Sequence, residues 1–207
     1  MGSDVKCRVR FGKQESEGKA LLETSEIIFR GDLRLKIPFA TILSSKVVDD
    51  ELQLQTAEGM ALFELGAVTA TKWREKILHP KTRIEKLGIK PGTRVSLIGF
   101  ENQDEEFVKE IQKAKAVMTP AGNTLPKNSD SIFLRIDTKK QLGQVAKIAK
   151  QLSGAAALWV IYPKGRQDIT EGDVSAAGHK AALTDIKVVG FSSTHTALKF
   201  VIPVNKR

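Results

Sequence analysis

The sequence predicts an α+β protein of two domains, a small antiparallel β-barrel over residues 1–80 and an α/β sheet over residues 81–207. Apolar and polar residues alternate in short segments up to residue 65, whereas near-continuous apolar segments separated by amphipathic ones follow residue 93. The charge divides at the same place. Residues 1–80 hold 12 basic and 12 acidic side chains, so the net charge of +9 belongs entirely to residues 81–207.

Composition narrows the class of protein. With 207 residues, of which 41% are hydrophobic, the chain is large enough to bury a core without disulfides. The single cysteine, Cys7, excludes an internal disulfide and a cysteine-based zinc site. No segment approaches 18 consecutive apolar residues, and residues 1–6 lack the apolar core of a signal peptide. We therefore expect a cytoplasmic protein.

Seven strands and one helix are predicted in the first domain. The helix spans Ala67–Leu78 and ends before Pro80, and its predicted buried face holds Val68, Trp73 and Ile77, with Leu78 beside it. The strands are marked by period-two alternation or by clusters of β-branched residues. They are Val5–Phe11, Lys19–Thr24, Glu26–Arg30, Leu33–Pro38, Ile42–Val48, Glu51–Thr56 and Met60–Leu65.

Seven short antiparallel strands followed by a helix that bears Trp73 resemble the pleckstrin-homology superfold in its compact bacterial form. The resemblance implies a scaffold that binds a peptide or a head group and performs no catalysis. The family places a basic series on the first strand to hold phosphorylated lipids. Lys6, Arg8 and Arg10 alternate there and are the anion-binding candidates of the barrel. Acidic residues expected in neighbouring loops offset their charge, namely Glu15, Glu17, Asp32 and Asp49–Glu51.

The second domain is predicted to be a wound sheet with helices on both faces. Three apolar segments are typical of strands buried on both sides, Arg94–Phe100, Ser131–Ile136 and Ala157–Tyr162. A short strand, Ala116–Thr119, precedes a turn at residues 120–123, and the chain ends in a hairpin of Asp185–Phe191 and Ala197–Val204. The predicted helices are Glu105–Ala114, Thr138–Leu152 and Glu171–Leu183.

Four segments of this domain resemble a bacterial family known as a domain of unknown function, itself similar to Rossmann-like methyltransferases. They are residues 86–92 (KLGIKPG), 157–164 (ALWVIYPK), 185–188 (DIKV) and 194–199 (THTALK). In the last segment the family tends to place Trp where this chain has His195. The resemblance implies a Rossmann-like fold and no particular activity.

Wound sheets bind ligands beyond the carboxyl ends of their strands, where the strand order reverses. The ligand-binding candidates are Gly99, Glu101, Asp137, Lys164, Arg166 and Lys199. A nucleotide or adenosylmethionine pocket needs a glycine-rich turn, but the G-x-G-x-x-G pattern is absent. The acidic residues 104–106 at the start of the following helix would repel a pyrophosphate.

Other sites find little support in the sequence. His79, His179 and His195 do not share the spacing of metal ligands, and His195 is expected to be solvated in a hairpin loop. We also expect Arg135 and Asp137 to face opposite ways and not to pair. A G-x-S-x-G nucleophile motif and a P-loop are both absent. We accordingly expect no catalytic residue, no metal and no cofactor.

The function that the sequence favours is a non-catalytic binding or adaptor protein whose partner is another protein rather than a small molecule. The first alternative is an enzyme that binds adenosylmethionine or a nucleotide where the strand order reverses. The second is weak, non-specific binding of nucleic acid through the basic domain. Base stacking is not expected there, because nearly all its aromatic residues fall in apolar segments, namely Phe100, Phe107, Phe133, Trp159, Tyr162, Phe191 and Phe200.

Overall fold

A computed structural model describes residues 3–100, 104–120 and 128–206, with the side chain of Pro120 left out. The chain divides into two compact units, Met1–Lys81 and Thr82–Arg207. The first contains one antiparallel sheet and a helix, and the second a mixed sheet with helices, so the protein is α+β. Within the described residues, no helix combines the length and apolar character needed to cross a membrane.

The first unit is a seven-stranded antiparallel sheet that curls into a half-barrel, with strand order β4-β3-β2-β1-β7-β6-β5. The sequence predicted a barrel, and in this order β4 and β5 are edge strands. All seven predicted strands are present, although β2 begins five residues earlier than expected. The elements are β1 Ser3–Phe11, β2 Gln14–Leu22, β3 Glu26–Gly31, β4 Arg34–Pro38, β5 Ile42–Val48, β6 Glu51–Thr56, β7 Gly59–Glu64 and α1 Ala67–Leu78.

The core of this unit lies on the inner face of the sheet, under α1. Trp73 and Ile77 of α1 are buried among inward-facing residues of the strands, but Val68 and Leu78, predicted on the same face, are exposed. Phe29 meets Phe63 edge to face at 6.5 Å. Cys7 belongs to the same inner face, and burial raises the pKa of its thiol to about 11. With this pKa the thiol is protonated at neutral pH, and a protonated thiol is a poor nucleophile.

The second unit is a six-stranded sheet with strand order β12-β13-β11-β10-β8-β9. Strands β9, β8, β10 and β11 are parallel, while β13 runs antiparallel to both β11 and β12. The predicted helix over 138–152 is shorter, since a 3-10 turn at Lys139–Leu142 precedes α4. The elements are α2 Arg83–Leu87, β8 Arg94–Ile98, α3 Glu105–Lys113, β9 Val117–Pro120, β10 Ser131–Arg135, α4 Gly143–Ala149, β11 Ala157–Pro163, α5 Glu171–Lys180, β12 Thr184–Gly190 and β13 His195–Val201.

Both faces of this sheet are covered, as the apolar segments predicted. Leu134 and Val160 pack on the side of α4 and α5, while Phe133 and Trp159 pack on the side of α2 and α3. The seven aromatic residues expected to be buried are all buried. Of the turn predicted at residues 120–123, residues 121–123 lie outside the described residues.

One glycine sets how closely α5 approaches the sheet. A Cβ at Gly178 would lie 2.0 Å from Cε1 of Phe200, a ring that is fully buried in β13. We expect Gly178→Ala to lower the free energy of unfolding by about 1–3 kcal/mol through overpacking, measured by urea denaturation. Gly172→Ala in the same helix, whose Cβ would meet only Thr170 Oγ1 at 3.7 Å, is the control and should be neutral or stabilising. Equal stability of the two variants would contradict this account.

Candidate functional site

Three charged or titratable side chains meet at the carboxyl end of β10. Nε of Arg135 lies 3.1 Å from Oδ2 of Asp137, and Nε2 of His195 lies 3.3 Å from Oδ1 of the same carboxylate. Nη2 of Arg135 is also 3.2 Å from His195 Nε2. The three side chains therefore lie within hydrogen-bond distance of one another, and we call them the Arg135–Asp137–His195 cluster.

Strand pairing brings this cluster together. The backbone N–H of Ile136 donates to the carbonyl of Ile161 at 2.8 Å, which carries the chain beside β11 as far as Asp137. His195, the first residue of β13, pairs with Pro163, the last residue of β11. The expectation that Arg135 and Asp137 could not pair was wrong, because residues two apart on an extended strand project from the same face.

The carboxylate of Asp137 is held in its ionised form. Partial burial raises its pKa, but hydrogen bonds from Arg135 and His195, with the charges of both, outweigh burial and bring the pKa below its ordinary value of 3.8. The backbone N–H groups of Asp137 and Thr138 donate to Oε1 of Gln141 at 2.8 and 2.9 Å, which fixes the segment that carries the carboxylate.

The sequence had suggested that His195 is solvated, and this expectation was wrong. Its side chain is 12% exposed, and Nδ1 lies 2.8 Å from Oγ1 of Thr194. Since a guanidinium can only donate, Nε2 either accepts a hydrogen bond from Arg135 or, when protonated, donates to Asp137. Nε2 of His195 therefore bonds either to Arg135 or to Asp137, one at a time. Its nitrogens are already engaged with neighbouring side chains.

The cations of the turn after β11 are also engaged. Nζ of Lys164 donates to the carbonyl of Ser192 at 2.6 Å. Arg166 forms a bidentate pair with Asp168, in which Nε donates to Oδ1 at 2.8 Å. The hydrogen bonds from Arg166 lower the pKa of Asp168. This turn thus carries one ion pair and one lysine that is held by a backbone carbonyl.

Gly99 lies at the end of β8, beside β10. It has a φ of +77°, and a Cβ there would come within 3.0 Å of the carbonyl oxygen of Arg135. Glu101, the candidate two residues later, lies outside the described residues. The intervening Phe100 is buried against Phe107 and Phe191. The residue that follows Gly99 is therefore part of a buried aromatic cluster.

Sequence reasoning missed the arginine that closes this aromatic cluster. The guanidinium of Arg83 lies 4.9 Å from the ring centres of both Phe107 and Phe191. It also pairs with Asp104 at 2.9 Å and Glu110 at 2.8 Å, with only 12% of its side chain exposed. These partners are far from Arg83 in the chain, so the sequence does not identify them. The sequence offers one signal, an arginine in a short amphipathic segment ahead of the first buried strand, and this signal names no partner.

Lys199 lies apart from the other candidates, in the middle of β13. Its Nζ is 5.5 Å from the ring centre of Trp159, a cation–π contact. Burial lowers the pKa of Lys199, and the charge of Lys187 on the neighbouring strand lowers it further. Lys187 itself donates to the carbonyl of Lys86 at 2.7 Å. The structure does not bring Lys199 together with Gly99 and Asp137.

Two of the three basic residues of β1 form ion pairs with acidic residues of other strands. Nε of Arg8 lies 3.3 Å from Glu15, and Nη2 lies 3.2 Å from Glu17. Arg10 forms an ion pair with Glu51. Glu15 and Glu17 were expected in a loop, but they belong to β2, where cross-strand register sets them opposite Arg10 and Arg8.

Across the described residues, no three His, Cys, Asp or Glu side chains are grouped so as to hold a metal ion.

Protein stability should depend on pH through Asp137. Because its pKa is lower in the folded protein than its ordinary value of 3.8, its contribution is complete above that value and is lost as the pH falls through the folded pKa. We expect Asp137→Asn to be less stable than the parent at about pH 7, and the difference to shrink towards about pH 3. Urea denaturation across that range tests this, and a difference that stays constant would contradict it.

Comparison with known proteins finds solved structures of weak similarity. No family model and no curated protein matches the chain. The N-terminal PH domain of human ARAP2 is 11% identical over 38% of this chain and 77% of that domain, with a TM-score of 0.34. A SAM-dependent methyltransferase from Aquifex aeolicus is 14% identical over 58% and 87%, with a TM-score of 0.45. An O-methyltransferase from neocarzinostatin biosynthesis is 9% identical over 65% and 56%, with a TM-score of 0.41.

Proposed function

We propose that this protein is a non-catalytic binding protein, an adaptor that joins a pleckstrin-homology-like unit to a degenerate Rossmann-like unit. The observation that carries the proposal is that the charged groups at the carboxyl end of the parallel strands are bonded to one another or to the backbone. Asp137 is bound by Arg135 and His195, and Arg166 is bound by Asp168. A general acid or base must be within reach of a substrate, whereas these groups are engaged with each other.

The surroundings of Gly99 support the same proposal. A Rossmann-like cofactor site uses a glycine-rich turn so that backbone N–H groups can approach phosphate or ribose. Here a single glycine is followed by buried Phe100, and Arg83 with Phe107 and Phe191 occupies the adjoining space. A buried aromatic residue thus follows Gly99, and the further glycines of such a turn are absent from the sequence that follows.

The competing function is an enzyme that binds an adenosyl ligand or a nucleotide. One observation favours it: the order of the strands reverses between β8 and β10, and Asp137 presents an ionised carboxylate close to that point. A carboxylate there could accept hydrogen bonds from ribose hydroxyls. Non-specific binding of nucleic acid has less support, because the aromatic residues of the basic unit that could stack on bases are buried.

A thermal-shift panel separates the adaptor from the ligand-binding enzyme. At low salt, adenosylmethionine, adenosylhomocysteine, NAD and ATP should each leave the melting temperature unchanged. Binding would be visible, because a ligand at 100 times its dissociation constant stabilises the protein by about 2.7 kcal/mol. Asp137→Ala and its control Asp168→Ala, which removes a carboxylate from the following turn, should both give flat panels. A shift with an adenosyl ligand that Asp137→Ala abolishes and Asp168→Ala retains would overturn the proposal and make the cluster part of a ligand site.

A further inference from the structure

A row of four cations crosses the outer face of the first unit. Lys6 of β1 lies opposite Lys19 of β2, Lys19 lies opposite Arg30 of β3, and Arg30 lies opposite Arg34 of β4. All four side chains are exposed. Because neighbouring strands are about 4.8 Å apart, the row spans about 14 Å. We call these four residues the cationic row.

The row is largely unneutralised. Nζ of Lys19 lies 2.7 Å from Oδ2 of Asp4. Of the ion pairs formed between described residues, none includes Lys6, Arg30 or Arg34. Like charges directly opposite each other destabilise a sheet, and an anion lying along the row would remove that repulsion.

The positive charge is confined to a narrow strip. On the side of the β1–β2 turn, Arg8 is paired with Glu15 and Glu17. On the other side lie Asp4 and the pair formed by Lys36 and Glu26, whose charged atoms are 3.4 Å apart. A broad anionic surface, such as a bilayer or a duplex, would meet these flanking carboxylates as well. A narrow, extended polyanion meets the cations first.

The face around the row favours a polypeptide over a single nucleic-acid strand. Leu21 and Ile28 are half-buried beside the row, and an open groove at its β3–β4 end is lined by Ile28, Arg30, Arg34 and Lys36. Single nucleic-acid strands bind by stacking bases on exposed aromatic rings. The aromatic residues of β1–β4, Phe11 and Phe29, both belong to the inner core.

We propose that the cationic row is the docking site for an extended acidic polypeptide segment. Its carboxylates would pair with the row, with bidentate contacts to Arg30 and Arg34, while apolar side chains of the segment would pack on Leu21 and Ile28. This inference rests on the proposed adaptor function and adds the surface and the chemistry of the partner. Failure of the row alone leaves the adaptor proposal standing, because the ligand panel and Asp137→Ala test that proposal separately.

Binding of a labelled twelve-residue oligoglutamate, followed by fluorescence anisotropy at low salt, tests the proposal. We expect the parent to bind, and Arg30→Gln with Arg34→Gln to weaken binding about tenfold or more, because two charge-assisted contacts are lost. The matched control is Lys72→Gln with Lys76→Gln, which removes the same charge from exposed positions of α1 in the same unit. This control should retain binding. Equal weakening by both pairs would overturn the proposal, since binding would then follow net charge alone.

Arg34→Glu separates loss of binding from loss of folding. It sets a carboxylate opposite Arg30, so the melting temperature should rise while oligoglutamate binding is lost. Binding that survives this variant would overturn the proposal. So would absence of oligoglutamate binding by the parent, or tighter binding through the row of oligothymidylate of equal length or of phosphatidylserine vesicles.

Discussion

Cross-strand register determines which charges in this protein are neutralised, and the surface that we propose for binding follows from it. On the outer face of the first unit, the antiparallel pairing of β1 with β2 sets Arg8 against Glu17 and Arg10 against Glu15. The same pairing sets Lys6 against Lys19. A shift of one residue would move every one of these side chains to the other face. Neutral and cationic strips therefore lie side by side on one sheet because the register is fixed.

The second unit follows the same rule with a different result. There, strand ends rather than strand centres bring the charges together, since Arg135, Asp137 and His195 meet at the carboxyl ends of β10 and β11 and the start of β13. Each group satisfies another in a partly buried place, where an unpaired charge would be costly. The arrangement ties these strand ends together and leaves their charged groups occupied. A role in binding is thus more natural for the exposed row of the first unit than for this cluster.

Period-two alternation and apolar segments were sufficient to predict the strands, because they report burial, which is a local property of each segment. They failed for the first half of β2, where Glu15, Ser16, Glu17 and Gly18 have low β propensity and pair with β1 through tertiary context. The sites were harder to predict. Arg83 binds residues that are 21 and 27 positions away, and the cationic row joins four strands, so both depend on pairings that no local pattern encodes.

Protection of a sheet edge explains only part of the cationic row. Edge strands commonly carry charged residues and proline, which discourage pairing with another chain, and Arg34, Lys36 and Pro38 of β4 fit that purpose. Lys6, Lys19 and Arg30, however, lie on β1, β2 and β3, which are paired on both sides. Cations directly opposite one another on interior strands do nothing for the edge and oppose the pairing of the strands. An anionic partner lying across β1–β4 accounts for the whole row, including the part that edge protection leaves unexplained.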